Sequence, residues 1–206
     1  MRNGEQMIQQ NKLDFLIGGV GGQGALTASD ILAEVGMFAG YDVKKSEVHG
    51  FSQRGGVVES HVRWGDEVLS TLGEEGRIDV LLALEMLEGA RWASYLKPGG
   101  LAIVSRQELI PISVSSGNAH YPPAETLEEV ARHATGRVHF VDALIIAEKL
   151  GNARASNTVV LGLLSTFLAV PEEVWLRVIR RRVPPKYVTV NERAFAAGRE
   201  LSAVGR

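Results

Sequence analysis

Short apolar runs alternate with longer segments of helical periodicity along most of this chain. Residues 78–84 and 101–104 are almost continuously apolar, which is typical of central parallel strands that are covered on both faces. Apolar residues recur every three or four positions through residues 28–39 and 85–96, and this spacing predicts helices that bury one face. Strands and helices that alternate in this way predict an α/β fold with a doubly wound, mostly parallel, Rossmann-like sheet.

One region departs from this alternation. Residues 57–64 alternate apolar and polar side chains, which predicts a half-exposed strand. Gly65 and Asp66 supply a turn after it, so residues 68–72 are predicted to be its antiparallel partner in an inserted β-hairpin. An antiparallel insertion of this kind is tolerated by mixed α/β sheets.

The two ends of the chain differ from the part between them. Residues 1–12 are mostly polar and are predicted to be a loose leader. Residues 13–170 carry the alternating pattern and are predicted to form the α/β domain. Pro171 is followed by two glutamates and then by apolar residues at helical spacing, so residues 171–206 are predicted to be a C-terminal helical extension.

A glycine-rich stretch lies between the first predicted strand and the first predicted helix. Residues 18–24 read Gly-Gly-Val-Gly-Gly-Gln-Gly and match the pattern G-x-G-x-x-G. Glycines let the backbone come close to an anion, and the first amides of the following helix have no internal partner. The stretch therefore predicts a site for a phosphate or carboxylate, although a tight turn without a ligand is the alternative. The candidate cofactor-binding residues here are Gly19, Gly21, Gly22, Gln23 and Gly24.

A second glycine-rich stretch, residues 49–56, lies between two further predicted strands. Loops at the carboxyl ends of strands in a doubly wound sheet converge on one crevice, so this loop is expected beside the first. A guanidinium here can hold a phosphate or carboxylate through two hydrogen bonds. An exposed surface loop is the alternative interpretation. The candidate residues in this loop are His49, Ser52, Gln53, Arg54, Gly55 and Gly56.

Two more polar residues are candidates for the same crevice. Dinucleotide-binding Rossmann domains place an acid about twenty residues beyond the glycines, where it binds a ribose. Glu47 fits that role, and Asp42 is a second possible match. The alternative for Glu47 is a solvated strand residue paired with one of the neighbouring lysines. Asn157 ends a polar junction between two helical segments, where it either caps a helix or faces the glycine loops.

Composition narrows the chemistry that this chain can perform alone. It has 206 residues, a formal charge of -2 and no cysteine, which excludes a disulfide scaffold, a thiol nucleophile and a cysteine-ligated iron–sulfur cluster. The histidines have no metal-ligand spacing, so no metal site is predicted, and no catalytic residue is assigned. Nothing in the charge balance favours nucleic acid, and no apolar run is long enough to span a membrane. A cytoplasmic protein is predicted.

Taken together, residues 19–24 and 46–56 resemble the gamma-type domain of the 2-oxoacid:ferredoxin oxidoreductases. The beta subunits of the indolepyruvate-specific members are the ones that this chain resembles most. The resemblance lies in the chain length and in the sequence of residues 47–56, Glu-Val-His-Gly-Phe-Ser-Gln-Arg-Gly-Gly. Residues 151–157, with Leu161 and Gly162 after them, are similar to the same family. The similarity covers roughly residues 13–170, so the predicted α/β domain resembles a gamma-type domain.

The resemblance implies a coenzyme A-dependent oxidative decarboxylation of a 2-oxoacid, such as an arylpyruvate, to an acyl-CoA, carbon dioxide and reduced ferredoxin. In this family thiamine diphosphate with Mg and the iron–sulfur clusters perform the redox chemistry. This chain has no cysteine, and Gly65-Asp66 is followed by Glu67 rather than by the glycine of a thiamine-binding motif. The resemblance therefore implies a larger partner subunit that carries these cofactors, with ferredoxin as electron acceptor.

The glycine loops of this subunit are expected to meet the phosphates of coenzyme A, and a homodimer of the subunit stays open. Two other classes of function also stay open. One is a stand-alone nucleotide-dependent oxidoreductase that uses residues 19–24 with Glu47. The other is a noncatalytic binding domain.

Overall fold

The first strand lies near the middle of a six-stranded sheet in a computed structural model that describes residues 12–49 and 56–204. The strands are β1 (Lys12–Val20), β2 (Asp42–His49), β3 (Val57–Gly65), β4 (Ile78–Ala83), β5 (Leu96–Ser105) and β6 (Arg137–Val141). The helices are α1 (Ala25–Phe38), α2 (Met86–Arg91), α3 (Ile112–Ser115), α4 (Ala124–Ala134), α5 (Ala143–Lys149), α6 (Ser156–Ser165), α7 (Glu172–Arg182) and α8 (Val188–Val204).

The strand order is β2-β3-β1-β4-β5-β6. Strands β1, β4, β5 and β6 are parallel neighbours, whereas β3 runs antiparallel to both β1 and β2. The prediction of a doubly wound, mostly parallel α/β sheet is confirmed. The chain leaves β1 towards β2 on one side and returns to β4 on the other, so the switch point lies between β1 and β4.

The antiparallel pairing is made by other residues than predicted. The outer partner of β3 is β2, in a register that runs from Asp42 opposite Gly65 to His49 opposite Val58. Residues 68–72 form no strand, so the expectation that they pair with β3 was wrong. The backbone N–H of Val68 is bound instead by the carboxylate of Asp42, 2.8 Å away, which leads this segment across the end of the sheet.

The helix predicted over residues 85–96 is shorter than its apolar spacing suggests. Helix α2 ends at Arg91, and a 3-10 turn, Ala93–Tyr95, leads directly into β5. The indole N–H of Trp92 donates to the Glu88 carboxylate over 3.0 Å, and the Trp92 ring packs edge-on against Tyr95. These contacts and the strand pairing of Leu96 with Ile78 override the helical spacing.

The continuous apolar runs are explained by two cores, one on each face of the sheet. Phe15 and Ile17 of β1 point into a large core that also contains residues of α1, α6, α7 and α8. Leu16, between them, points into a smaller core on the opposite face with Met86 of α2 and Leu127 of α4. Successive strand residues alternate between faces, so a strand covered on both faces must be apolar throughout.

The C-terminal helices pack against this same large core. Trp175 and Ile179 of α7 and Phe195 of α8 are fully buried in it, together with residues of the central strands. The division of the chain at residue 170 stays a prediction. Within the described ranges no helix is long and apolar enough to cross a membrane.

Helices α6 and α8 approach each other at two glycines. A Cβ atom on Gly162 would lie 2.2 Å from the Phe195 carbonyl oxygen, and one on Gly198 would lie 2.0 Å from that of Val159. Both obstacles are backbone atoms, which no side-chain rotation can remove. Glycine at both positions therefore sets how closely the two helices pack.

We expect Gly198→Ala to lower the free energy of unfolding by about 2 kcal/mol or more, because the cost of overpacking exceeds the gain in helix propensity. Urea denaturation measures the change. Gly136→Ala is the control, since a Cβ atom there would meet no atom within 4 Å, and its stability should match wild type. Equal stability of all three proteins would contradict the close helix contact.

Candidate functional site

The first glycine-rich stretch leads from β1 into α1, but the strand is longer than predicted: Gly18, Gly19 and Val20 are its last residues, with Gly19 opposite Val58, and only residues 21–24 form the loop. Gly22 and Gly24 have φ angles of 107° and 81°, in the left-handed region that side chains rarely adopt. The Gly24 carbonyl accepts the first hydrogen bond of α1 from the N–H of Ala28 at 2.9 Å. Among the described residues no acceptor pairs with the amides of Gly22 and Gly24. These amides and the start of α1 form a polar surface that suits an anion.

The two glycine-rich stretches meet in space. The N–H of Gly21 donates to the carbonyl of Gly56 over 2.9 Å, because β3 begins beside the end of β1 with Val57 opposite Val20. The backbone of His49 ends β2 at the same edge of the sheet. The side chain of His49 lies outside the described part of the structure, as do residues Ser52, Gln53, Arg54 and Gly55. Their roles stay predictions.

The Gln23 side chain ties the glycine loop to the neighbouring strand ends. Its Oε1 accepts from the Val20 N–H at 2.8 Å, so the loop folds back on its own strand. Its Nε2 donates to the Leu84 carbonyl at 2.8 Å and to Oε1 of Gln107 at 2.9 Å. Leu84 follows β4 and Gln107 follows β5, so one carboxamide joins three strand ends across the switch point.

Gln107 was not among the predicted site residues. It lies two positions after the end of β5, where crevice residues of a doubly wound sheet are expected. Its backbone carbonyl also accepts from the N–H of Met86 at the start of α2, over 2.9 Å. Its position after a buried strand was the signal that could have found it.

Asn157 reaches the glycine loop from α6. Its side chain is buried, and its Nδ2 donates to the Gly24 carbonyl over 3.0 Å. A Cβ atom on Gly24 would lie 2.5 Å from that nitrogen, so the contact requires glycine. The adjacent Thr158 hydroxyl donates to Oδ1 of Asn191 in α8 at 2.7 Å. The loop is therefore supported from the C-terminal helices, and Asn157 acts on it through the backbone.

A buried carboxylate group lies just beyond β4, next to this loop. Glu85 accepts from the backbone N–H groups of Glu88 at 2.9 Å and Leu109 at 3.2 Å, and from the Tyr121 hydroxyl at 2.5 Å. Burial raises the pKa of Tyr121 above its usual value, and its hydrogen bond to Glu85 raises it further. The Tyr121 hydroxyl is therefore a hydrogen-bond donor that joins residues 109–121 to the end of β4.

Glu88 lies beside Gly18 on the same side of the sheet. Burial raises the pKa of Glu88, although Arg91 at 3.1 Å favours its charged form. A Cβ atom on Gly18 would lie 2.7 Å from the Trp92 ring that Glu88 binds. These contacts pack α2 closely against the last residues of β1. They therefore hold the strand end from which the glycine loop begins.

Glu47 lies away from the first glycine loop. It is on the edge strand β2, and β3 separates that strand from β1. Its carboxylate pairs with Lys45 on the same strand. In dinucleotide-binding Rossmann sheets the second strand lies directly beside the first, which brings the acid to the ribose. The ribose-binding role of Glu47 stays a prediction, and this sheet order does not favour it.

The donor groups of this chain do not fit an iron–sulfur cluster. The sequence has no cysteine to supply thiolates. Within residues 12–49 and 56–204 no group of three or more histidine, aspartate or glutamate side chains is arranged to hold a metal ion. The residues of this sequence therefore do not supply the thiolate ligands of an iron–sulfur cluster.

We expect Gln23→Glu to lower the free energy of unfolding by about 2 kcal/mol. The Leu84 carbonyl and Gln107 Oε1 would then face a carboxylate oxygen instead of the amide nitrogen that donates to them. Gln107→Glu is the matched control, since it keeps an oxygen that can accept from Gln23 Nε2. Urea denaturation at neutral pH compares the two. Equal losses in both variants would contradict the role of Gln23 as the donor.

The chain is similar to known proteins over most of its length. The family described as pyruvate ferredoxin/flavodoxin oxidoreductase matches residues 14–201. The chain is 42% identical over 198 residues to the indolepyruvate oxidoreductase subunit IorB of Archaeoglobus fulgidus, covering 95% of this chain and 98% of that subunit. It is 40% identical over 188 residues to the same subunit of Thermococcus kodakarensis, and this match covers 90% of this chain and 93% of that subunit.

Solved structures share the fold. The gamma subunit of a keto/oxoacid ferredoxin oxidoreductase from Geobacter sulfurreducens has a TM-score of 0.69 at 25% identity, over 94% of this chain and 99% of that one. The 2-oxoglutarate:ferredoxin oxidoreductase from Magnetococcus marinus, solved with 2-oxoglutarate, coenzyme A and succinyl-CoA bound, has a TM-score of 0.75 at 20% identity. That match covers 96% of this chain and 32% of that longer one. With its family match across nearly the whole sequence, this chain belongs to the pyruvate ferredoxin/flavodoxin oxidoreductase family.

Proposed function

We propose that this chain is a subunit of a 2-oxoacid oxidoreductase that acts on indolepyruvate or a related arylpyruvate. The complex transfers the acyl group to coenzyme A, releases carbon dioxide and passes electrons to ferredoxin. The observation that carries the proposal is 40% identity or more to indolepyruvate oxidoreductase subunits over at least 90% of the chain. A fold alone would not support this statement, because one fold serves many functions.

The proposed subunit carries neither thiamine diphosphate nor an iron–sulfur cluster. A larger partner subunit holds both, and this chain forms part of the surface around the reacting groups. This division of labour is supported by the absence of cysteine, since iron–sulfur clusters are held mainly by thiolates. It is also supported by the position of Glu47 on the edge strand, which does not favour a stand-alone dinucleotide enzyme.

The chain's own contribution is an anion cradle at the switch point. The amides of Gly22 and Gly24 and the first turn of α1 supply donors and a partial positive charge, which suit a phosphate of coenzyme A. Gln23 and Asn157 use their side chains on backbone groups of the loop, so they position the cradle rather than contact the phosphate. The second glycine-rich loop is proposed to complete the site.

Assembly with the larger subunit tests the function. We expect the two chains, when produced together, to co-purify and to oxidise indolepyruvate with coenzyme A and ferredoxin. The separate chain should show neither turnover nor the visible absorbance of an iron–sulfur cluster. Turnover of a 2-oxoacid or of NAD(P)H by the separate chain, or failure of the two chains to associate, would overturn the proposal.

Alanine substitutions at two glycines, one in the first glycine loop and one outside it, test whether this loop binds coenzyme A. Gly22 and Gly40 both have left-handed φ angles, 107° and 93°, and a Cβ atom at either would meet no atom within 4 Å. Alanine at either position should cost about 1 kcal/mol of stability. We expect only Gly22→Ala to weaken coenzyme A binding by the complex, about tenfold by calorimetry, because Gly40 follows the far end of α1. Equal affinities would remove the loop from the binding site.

A further inference from the structure

The segment between β3 and β4, residues 66–77, presents two leucines to solvent. Leu69 is 89% exposed and Leu72 is 50% exposed, and Leu69 is the most exposed large apolar side chain in the described part of the chain. We call this segment the 66–77 loop. It precedes the start of β4, so it lies at the opposite edge of the sheet from the first glycine loop.

The 66–77 loop is held in place by side chains of the strands beneath it. Asp42 binds the N–H of Val68 at 2.8 Å, and His61 Nδ1 binds the N–H of Gly73 at 3.2 Å. Arg63 donates from one nitrogen to the carbonyls of Ser70, at 3.1 Å, and Leu72, at 3.0 Å. These bonds fix the backbone on both sides of each leucine.

The loop is anchored by apolar packing and by a buried ion pair as well. The Val68 side chain is buried. A Cβ atom on Gly73 would lie 2.4 Å from Ile78 Cδ1, so the loop returns closely to β4. Arg63 is itself oriented by two bonds to the buried carboxylate of Asp14, at 2.8 and 3.0 Å. Because the backbone is already ordered, docking on this loop costs less conformational entropy than docking on a free one.

Neither leucine contributes to the core that holds the loop. Single exposed apolar side chains are common on protein surfaces, but here two lie three positions apart on one hydrogen-bonded loop. Apolar side chains on an ordered backbone can be covered by another protein at a low cost in conformational entropy, and their burial there is favourable. The geometry points to a protein contact at this edge of the sheet.

The charges around the leucines decide what kind of partner fits. The loop contains Asp66, Glu67, Glu74 and Glu75 and one cation, Arg77, so its formal charge is -3. Among the described residues only Glu74 of these four has an ion-pair partner, Arg77 at 3.0 Å. The cations of the strands beside the loop, Lys12, Arg63 and Lys97, form ion pairs with Asp14 and Asp79, so the acidic excess of the loop is not cancelled by them. A second copy that placed its own 66–77 loop against this one across a two-fold axis would bring like charges together, which opposes that pairing. An apolar pocket with a basic rim on a different protein is complementary.

We propose that the 66–77 loop docks this chain onto the larger subunit, with Leu69 and Leu72 in an apolar pocket rimmed by lysine or arginine. This inference rests on the proposed function, because that function supplies the larger subunit.

Binding of the purified larger subunit to the immobilised chain tests the proposal. We expect the double variant Leu69→Ser, Leu72→Ser to bind at least about tenfold more weakly with an unchanged melting temperature, because both side chains point to solvent. The matched control is Val130→Ser, Ile145→Ser, since these side chains are 43% and 50% exposed on α4 and α5. The control should bind like wild type.

Charge reversal tests the chemistry of the rim. Glu74→Lys, Glu75→Lys should weaken association at low salt about tenfold and make the association rate less sensitive to salt. Tighter binding of this variant would mean that the partner's rim is acidic, which overturns the proposed complementarity.

The outcomes separate this proposal from the proposed function. If wild type binds the larger subunit and the leucine variant binds equally well, the loop is not the docking site and the proposed function stands. If wild type does not bind the larger subunit at all, both fall. If the leucine variant loses self-association in sedimentation and keeps the larger subunit, the occupant is a second copy and the proposal is wrong.

Discussion

The carboxamide of Gln23 is the interaction on which the candidate site depends. A glycine loop has little side-chain packing to hold it, so its shape must come from hydrogen bonds or from a ligand. Gln23 supplies those bonds from inside the loop, to the backbone of β1, to the end of β4 and to Gln107 after β5. The loop is therefore preorganised by its own sequence, and the amides of Gly22 and Gly24 have no acceptor among the described residues.

The support of the loop extends through both faces of the sheet. On one face Asn157 holds the Gly24 carbonyl, and Thr158 continues the contact to Asn191 in α8. On the other face Glu88 and Trp92 pack α2 against Gly18. The buried polar groups here are paired with each other, which keeps the cost of burying them low. The two ends of the sheet thus differ: the carboxyl ends of the parallel strands carry the candidate anion site, and the opposite end carries the acidic 66–77 loop.

Features that depend on short stretches of sequence were predicted correctly. The glycine loop, α1 and the central strands follow from glycine spacing and apolar runs, and they were found where the sequence places them. The partner of β3 was mistaken because Gly65 and Asp66 suggested a turn into the following segment, whereas β3 pairs with the preceding strand, β2, a choice that depends on how the whole sheet assembles. Gln107 was missed for a related reason: its value depends on which strands end side by side. The contact of Gly162 with Gly198 could not be seen either, since only the crossing of α6 and α8 brings these residues together.

That crossing also restricts which movements the protein can make. A slip of α8 along α6 by one helical turn, about 5.4 Å, would bring side chains into space that two glycines now share. The close glycine contact therefore prevents α8 from sliding along α6. Any change in the shape of the crevice must therefore leave the contact between Gly162 and Gly198 intact, which makes the α6–α8 pair a fixed reference within the fold.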